Sequence, residues 1–274
     1  MIDAMTRPTA LPAALLALGA AASTRAADGA HDCLIEPWQR VEIRSPVIGV
    51  IERIEVDRGG AIKTGQTLLT LDTGVEQAAF DAATARAKSD AEINVAKARA
   101  EFARAKFKRA EDLREQHFVS GQDHDQAQAE LRVAEAELAL AQDNRRLAAI
   151  EARRLGELLR QRSLRAPFVG VVTERLQHPG ELAFTGEGAR PILKLAQINP
   201  LRVEVVLPVA LLGTIKVGHS AEVTPEPPLK GSWRATIKVV DHVVDSASGS
   251  FGVRLELPNP QGELPAGVRC RVKF

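Results

Sequence analysis

The feature of this chain that most constrains its fold is an internal repeat whose two copies lie far apart. The segment RSPVIGVIERIEVDRGGAIKTGQ, starting at Arg44, aligns without a gap with RAPFVGVVTERLQHPGELAFTGE, starting at Arg165. Proline and glycine fall at the same points in both copies. These positions are Pro46, Gly49, Gly59 and Gly65 in the first copy and Pro167, Gly170, Gly180 and Gly186 in the second. Because glycine adopts positive φ at little cost, the matched glycines predict matched turns in two copies of one β unit.

Short apolar runs lie between these turns. The runs at 47–51 and 168–172 are rich in β-branched residues, and each copy ends in a further apolar run, at 68–71 and 192–195. Runs of this kind, bounded by glycine and proline, predict strands. We therefore expect a β domain assembled from two halves, residues 41–72 and 164–197.

The segment between the halves predicts an antiparallel helical hairpin over residues 73–163. It contains no proline, and from Val75 to Arg160 the only glycines are Gly121 and Gly156. One stripe with steps of four and three residues consists of Ala127, Leu131, Ala134, Leu138, Ala141, Arg145, Ala148, Ala152, Leu155 and Leu159, and a less regular one of Phe80, Ala83, Ala87, Ala91, Val95, Ala98, Phe102 and Ala105. This spacing is typical of a coiled-coil seam. Each arm of about 40 residues is ~60 Å long.

Two capping patterns predict where the arms begin. Thr73-Gly74-Val75-Glu76 has the spacing of a capping box, and Ser120-Gly121-Gln122-Asp123 is a similar pattern. The tip of the hairpin is therefore expected near residues 117–121.

Residues 198–274 predict a small antiparallel β barrel. Apolar runs at 203–207, 235–244, 251–257 and 268–274 are separated by prolines and glycines. The complete fold class is α+β: a split β domain with an inserted helical hairpin, followed by the barrel.

The first residues predict an export signal. Arg7 precedes an apolar stretch from Ala10 to Ala22, and Thr24-Arg25-Ala26 offers small residues for cleavage. We expect residues 1–26 to be a signal peptide. A membrane anchor is the alternative, but about 13 residues of helix span only ~20 Å of a ~30 Å hydrocarbon core. No later segment is apolar enough to span a bilayer, so the mature chain is expected to be exported and soluble.

Cys33 and Cys270 are the two cysteines of the chain. In an oxidising compartment such a pair is a candidate disulfide that joins the two ends of the mature chain. Two unpaired thiols remain the alternative.

The order of these elements resembles the membrane fusion protein family, the periplasmic adaptors of tripartite exporters of the HlyD and RND-adaptor type. SPVIGVIERIEVDRGGAIKTGQTLLTLD and LRAPFVGVVTERLQHPGELAFTGE look like the two lipoyl-like halves of that family, a barrel-sandwich hybrid. DSASGSFGVRLELPNPQGELPAGVRCRV is similar to the end of its barrel. RND-type members usually carry a further membrane-proximal domain built from both chain ends. We expect it to be absent or vestigial here, because few residues precede Val41 after the signal and none follow Phe274.

The resemblance implies a function and a docking site. Members that engage TolC-type outer-membrane channels carry Arg, Leu and Ser at a fixed spacing at the hairpin tip, and Arg109, Leu113 and Ser120 match that spacing. The implied function is a periplasmic adaptor between an inner-membrane transporter, of RND or ABC type, and the channel. It would be associated with the inner membrane through the transporter and form a homo-oligomer. Ser120 as a helix cap, Leu113 as a seam residue and Arg109 as a solvated charge are the alternatives.

Other classes of function have weaker support. A lipoyl or biotinyl carrier needs a lysine between its halves, where Leu71 to Val75 has none. An exported metal-binding protein could use His117, Asp123, His124 and Asp125, although a solvated turn is the commoner explanation. No hydrolase, zinc-protease or nucleotide-binding motif occurs, so we expect no enzyme, no cofactor and no resident metal. The net charge of +1 gives no reason to expect nucleic acid.

Overall fold

The computed structural model describes residues 29–116 and 118–274. The predicted signal at 1–26 and His117 lie outside the described residues. Twelve strands and three α-helices follow in the order β1 (Ala30–Ile43), β2 (Gly49–Ile54), β3 (Ala61–Ile62), β4 (Thr67–Leu71), α1 (Gly74–Lys88), α2 (Ala91–Glu115), α3 (Gly121–Gln161), β5 (Ser163–Arg165), β6 (Gly170–Arg175), β7 (Leu182–Ala183), β8 (Leu193–Pro208), β9 (Ser220–Pro225), β10 (Trp233–Val240), β11 (Ser250–Leu257) and β12 (Val268–Lys273). None of the described helices is both long and apolar enough to cross a membrane.

The two copies of the repeat fold against each other and exchange strand partners. The strand β2 of the first copy pairs with β7 of the second, and β6 of the second pairs in the equivalent way with β3 of the first. The turn hydrogen bonds are also reciprocal. The amide of Gly180 donates to the carbonyl of Ile51 at 2.8 Å, and the amide of Gly59 donates to that of Val172 at 2.8 Å. Each half therefore completes the other, as expected for one β domain made from two segments.

The glycines of the repeat serve two purposes. Gly59, Gly65, Gly180 and Gly186 have φ between 79° and 90°, so the predicted turns are present at these four positions. The expectation was wrong for Gly49 and Gly170, which begin strands β2 and β6. At both positions a Cβ atom would collide with a neighbour, so glycine allows close packing rather than a turn.

The C-terminal barrel is closed. Strands follow in the order β1, β12, β9, β10, β11 and β8, and β8 pairs again with β1. Large apolar side chains on its inner face are fully buried, among them Ile35, Leu207 and Phe251. The predicted antiparallel barrel is confirmed, with β1 as a strand that the sequence analysis did not assign.

Strands β1 and β8 run through both β units. In β1, residues 33–37 pair with β8 in the barrel, whereas residues 39–43 pair with β8 in the split domain. The expected boundary between residues 197 and 198 therefore lies within a continuous strand. Cys33 of β1 is disulfide-bonded to Cys270 of β12, its direct partner in the barrel ladder. The disulfide therefore joins two adjacent strands of the barrel.

The segment between the halves is an antiparallel hairpin, but its first arm is interrupted. Ser89 has an extended backbone and separates α1 from α2, while α3 runs unbroken opposite them. Along α3, the predicted seam is correct: Ala127, Ala134, Ala141 and Ala152 are buried.

The seam predicted for the first arm is wrong beyond α1. Ala83 is buried as expected, but Ala91, Val95, Ala98, Phe102 and Ala105 are all exposed. The residues of α2 that face α3 are instead Ala96, Ala100 and Ala103. The interruption at Ser89 and Asp90 takes two residues out of the helix and so changes which side of α2 faces its partner.

The two predicted caps differ. Ser120 caps α3 as expected, because its side chain accepts a hydrogen bond from the amide of Asp123 at 3.2 Å. Thr73 makes no such bond at the start of α1. Asp72 accepts from the amide of Gly74 instead, at 3.0 Å, and Glu76 pairs with Arg162 at the root of the hairpin.

Candidate docking tip

The link between α2 and α3 lies at the end of the hairpin that is farthest from the β domain. The amide of Phe118 donates to the carbonyl of Leu113 at 2.9 Å, which folds the link back onto the end of α2. Ser120 then starts α3. Its hydroxyl accepts from the amide of Asp123 and donates to the carboxylate of the same residue at 2.7 Å. The tip is therefore held by local hydrogen bonds.

The three predicted docking residues all lie at this end of the hairpin. Arg109 and Leu113 are one helical turn apart on α2 and so share a face. Arg109 is exposed, and Leu113 is 42% exposed. Ser120 is exposed as well, but its hydroxyl already makes two hydrogen bonds within the tip. Leu113 is thus not a buried seam contact, whereas Ser120 has a structural role as a helix cap.

Phe118 is a candidate docking residue that the sequence reasoning missed. It is 75% exposed and lies next to Leu113 through the backbone bond just described. A phenylalanine within a polar turn, in a chain with few aromatics, was the available signal. Exposed aromatic and aliphatic side chains at the end of a rod are the kind of group that fills a groove on a partner.

His124 lies inside the tip rather than at an open ligand position. Its ring lies 5.3 Å from that of Phe107, and its Nδ1 is 3.0 Å from the guanidinium of Arg114. The carboxylate of Asp123 is bonded to Ser120. Over residues 29–116 and 118–274, no group of three or more His, Cys, Asp or Glu side chains is arranged to hold a metal ion.

Ion pairs connect the two arms behind the tip. Lys106 contacts Glu130 at 2.6 Å, and its hydrogen bond lowers the pKa of this carboxyl below the usual value. Arg104 and Glu135 form a second pair at 2.6 Å on the other side of the hairpin. Because these pairs are exposed, each adds little stability, and their main effect is to keep the arms in register.

The position that a carrier domain would use for its modified lysine has a different role here. Between the halves, Asp72 accepts from the amide of Gly74, and the chain enters α1 directly. No lysine is presented at this point of the described chain.

Comparisons with known proteins find similarity to subunits of efflux systems. The family model "RND MFP, alpha-helical hairpin domain" matches residues 81–154, and "CusB-like, beta-barrel domain" matches residues 201–274. The chain is 26% identical over 244 residues to the multidrug resistance protein MdtE of Escherichia coli K12, covering 85% of this chain and 60% of that one. It is 26% identical over 249 residues to the multidrug efflux pump subunit AcrA of the same organism, covering 86% and 59%.

A solved structure shares the fold. The crystal structure of MacA from Actinobacillus actinomycetemcomitans superposes with a TM-score of 0.73 at 22% identity, covering 89% of this chain and 76% of that chain. The match includes the hairpin and both β units, because it covers most of the described residues. The chain spans about three fifths of the length of the two curated relatives.

Proposed function

Because the chain belongs to the membrane fusion protein family, we propose that it is a periplasmic adaptor. It links an inner-membrane transporter, of RND or ABC type, to a TolC-type outer-membrane channel. The chain works in export or efflux and is held at the inner membrane by its transporter.

The observation that carries this proposal is the arrangement of the hairpin on the split β domain. The two interlocked halves fix the root of the hairpin, where Arg162 pairs with Glu76 and donates to the carbonyl of Asp72. A helix of the length of α3 extends ~60 Å from that root. An element that reaches so far and ends in exposed apolar side chains fits a connector better than a binding pocket.

The proposed role requires no chemistry from this chain. Catalysis needs a pocket that excludes water and shifts the pKa of an acid or base. The described groups whose pKa is shifted, Glu130, Glu151, Arg154 and Asp245, lie in exposed ion pairs or turns. The energy for export comes from the transporter, and the adaptor acts as a non-enzymatic connector without a cofactor.

Docking at the tip is the testable part of this function. Leu113 and Phe118 supply apolar contacts to a groove between channel helices, Arg109 supplies hydrogen bonds, and Ser120 holds the shape of the link.

Single cysteines at Leu113, Phe118 and Ser120, with the native disulfide intact, test the docking in cells that express the transporter and the channel. A thiol-reactive crosslinker is expected to join each variant to the channel. Val243→Cys, at an 83% exposed position of the loop after β10, is the matched control and is expected to give no channel adduct. Adducts from Val243 but from none of the tip positions would show that the channel contacts the barrel and that docking at the tip is wrong.

We also propose that several copies assemble side by side around the export path. A hairpin has one partner helix on each arm and leaves its two broad sides to solvent, so lateral neighbours offer further burial.

A further inference from the structure

The barrel and the hairpin are attached to the split β domain in different ways. Strands β1 and β8 continue into the barrel and remain paired with each other on both sides of the junction, over residues 33–37 and 39–43 of β1. The hairpin is joined instead by two short links, residues 72–73 between β4 and α1 and the single residue Arg162 between α3 and β5. Short unpaired links act as hinges unless other contacts restrain them. The direction of the hairpin therefore depends on the contacts made at its root.

The side chain of Arg162 makes several of these contacts. Its Nη2 pairs with the carboxylate of Glu76 in the first turn of α1, and its Nη1 donates to the carbonyl oxygen of Asp72 at 3.1 Å. The backbone carbonyl of Arg162 accepts from the amide of Leu71, the last residue of β4, at 2.9 Å. Arg162 thus connects the end of α3 to β4, to the link after it and to the start of α1.

Gly49 of β2 leaves space for this guanidinium. A Cβ atom at Gly49 would lie 2.6 Å from the Nη1 of Arg162. At Gly170, the equivalent position of the other half, the nearest neighbour is the backbone carbonyl oxygen of Ala196 in β8. The second half therefore places a strand against its glycine, whereas the first half places a guanidinium there. We call Arg162 and its three partners, Gly49, Asp72 and Glu76, the root clamp.

The ion pair of the root clamp is better shielded from water than those along the arms. The side chains of Arg162 and Glu76 are 19% and 26% exposed, compared with 44% and 40% for Lys106 and Glu130. Opposite charges attract more strongly where less water surrounds them, and a guanidinium can hold two acceptors in a fixed geometry. The root clamp is therefore a stiffer restraint than the exposed pairs between the arms.

We propose that Arg162 is a positioning residue that fixes the angle between the hairpin and the split β domain and so presents the tip in one direction. The use of this direction for docking rests on the proposed adaptor function. Because the tip lies ~60 Å from the root, a tilt of about 10° displaces it by ~10 Å, the width of a helix. A contact as small as that of Leu113 and Phe118 would be lost by such a displacement.

The distance between two nitroxide labels across the root, measured by pulsed electron spin resonance on the purified chain, tests the clamp. The labels are attached at Thr64→Cys, in the turn before β4, and at Gln142→Cys on α3, both at exposed positions. The native cysteines are in the disulfide, so only the added thiols react. Arg162→Ala is expected to widen the distance distribution about twofold, because the hinge loses its main restraint.

Arg160→Ala is the matched control for this measurement. Arg160 lies two residues before Arg162 and pairs with Glu157 of the same helix, so its loss should leave the width unchanged. Equal widths for the two variants would overturn the proposal.

Two further variants distinguish the clamp from a general loss of folding. Gly49→Ala keeps the arginine but fills the space of its guanidinium, so it is expected to widen the distribution while the urea midpoint changes little. Glu76→Ala should widen it as well. The double variant with Arg162→Ala should be no wider than Arg162→Ala alone, because both residues act through one contact. Additive widening would show that the two side chains restrain the hairpin separately and would contradict the clamp.

Channel crosslinking in cells tests whether the fixed direction serves docking. On the Phe118→Cys background, Arg162→Ala is expected to reduce the yield of channel adducts about fivefold if a fifth of the hairpins still point correctly, whereas Arg160→Ala leaves the yield unchanged. An undiminished yield despite a wider distribution would refute the presentation of the tip. If Phe118→Cys gives no adducts even with Arg162 intact, the adaptor function fails, and the label distances still decide the clamp.

Discussion

Gly49 and Gly170 occupy equivalent positions in the two halves of the β domain, yet a side chain would meet different neighbours at each. At Gly49 a Cβ would lie 2.6 Å from the guanidinium of Arg162, at the end of a flexible side chain. At Gly170 it would overlap the backbone carbonyl oxygen of Ala196, which belongs to strand β8. A guanidinium can turn away, whereas a carbonyl within a paired strand cannot move without disturbing the ladder.

The replacement Gly170→Ala is therefore expected to destabilise the protein by about 3 kcal/mol, the upper range for overpacking a rigid site. The matched replacement Gly49→Ala is expected to cost less than about 1 kcal/mol, the cost of a weakened, partly exposed ion pair. Urea denaturation followed by tryptophan fluorescence measures both. Equal losses would mean that β8 shifts as easily as the arginine does.

At the scale of single residues, the sequence predicts where the structurally required glycines lie better than it predicts why glycine is required there. The repeat located all six glycines, but not that Gly49 and Gly170 allow close packing, because that depends on Arg162 and Ala196, which lie outside the aligned turns. Phe118 was missed because exposure in a turn has no periodicity in the sequence.

At the scale of elements, the interruption between α1 and α2 is contacted by an arginine of α3. Arg145 occupies a seam position between Ala141 and Ala148, where an apolar residue is usual. Its guanidinium contacts the carboxylate of Asp90 at 2.8 Å and donates to the carbonyl of Ala87 at 3.4 Å. Ala87 lies in the last turn of α1, whose carbonyls lack partners within the helix. Arg145 thus stabilises both sides of the break.

We expect Arg145→Ala to accelerate amide hydrogen exchange at residues 87–94 about two- to fivefold, because an exposed ion pair contributes ~0.2–1 kcal/mol. Arg146→Ala is the control. Arg146 is the next residue and pairs with Asp143 of the same helix at 2.8 Å, so exchange at the break should not change. Equal effects of the two replacements would exclude a specific role for Arg145.

The elements that the sequence predicted well are those with an uninterrupted pattern. The predicted seam of α3 keeps its phase from Ala127 to Ala152 because no break interrupts the helix, and the exposed Arg145 is its one exception. The seam of α2 is wrong because the two-residue break, which carries no glycine or proline, changes the side that faces α3. Strand β1 was not assigned because Pro37 and several polar residues interrupt its apolar alternation, although Cys33 and Ile35 point into the barrel.

At the scale of the whole molecule, the hairpin and the β units differ in how much apolar surface they bury. The distal hairpin core consists of Ala100, Ala103 and Ala134, with Leu131 and Leu138 partly buried beside them. The barrel core is formed mainly by large aliphatic side chains, and Phe251 is almost fully buried. Since burial of apolar area is the main stabilising contribution, the hairpin should open at a lower free energy than the barrel.

This difference predicts two opening reactions in the purified chain. Native-state hydrogen exchange in increasing urea should show the amides of α2 and distal α3 opening at least ~2 kcal/mol below those of β8 and β11. Leu138→Ala is expected to lower the opening free energy of the hairpin by about 2 kcal/mol, towards the low end for such a replacement because the site is only partly buried, while the barrel amides keep theirs. Val203→Ala, in the barrel core, is the reciprocal variant and should affect β8 and β11 alone. If either replacement lowers amide protection equally in the hairpin and the barrel, the two unfold as one cooperative unit. That result would exclude a hairpin that opens separately from the barrel.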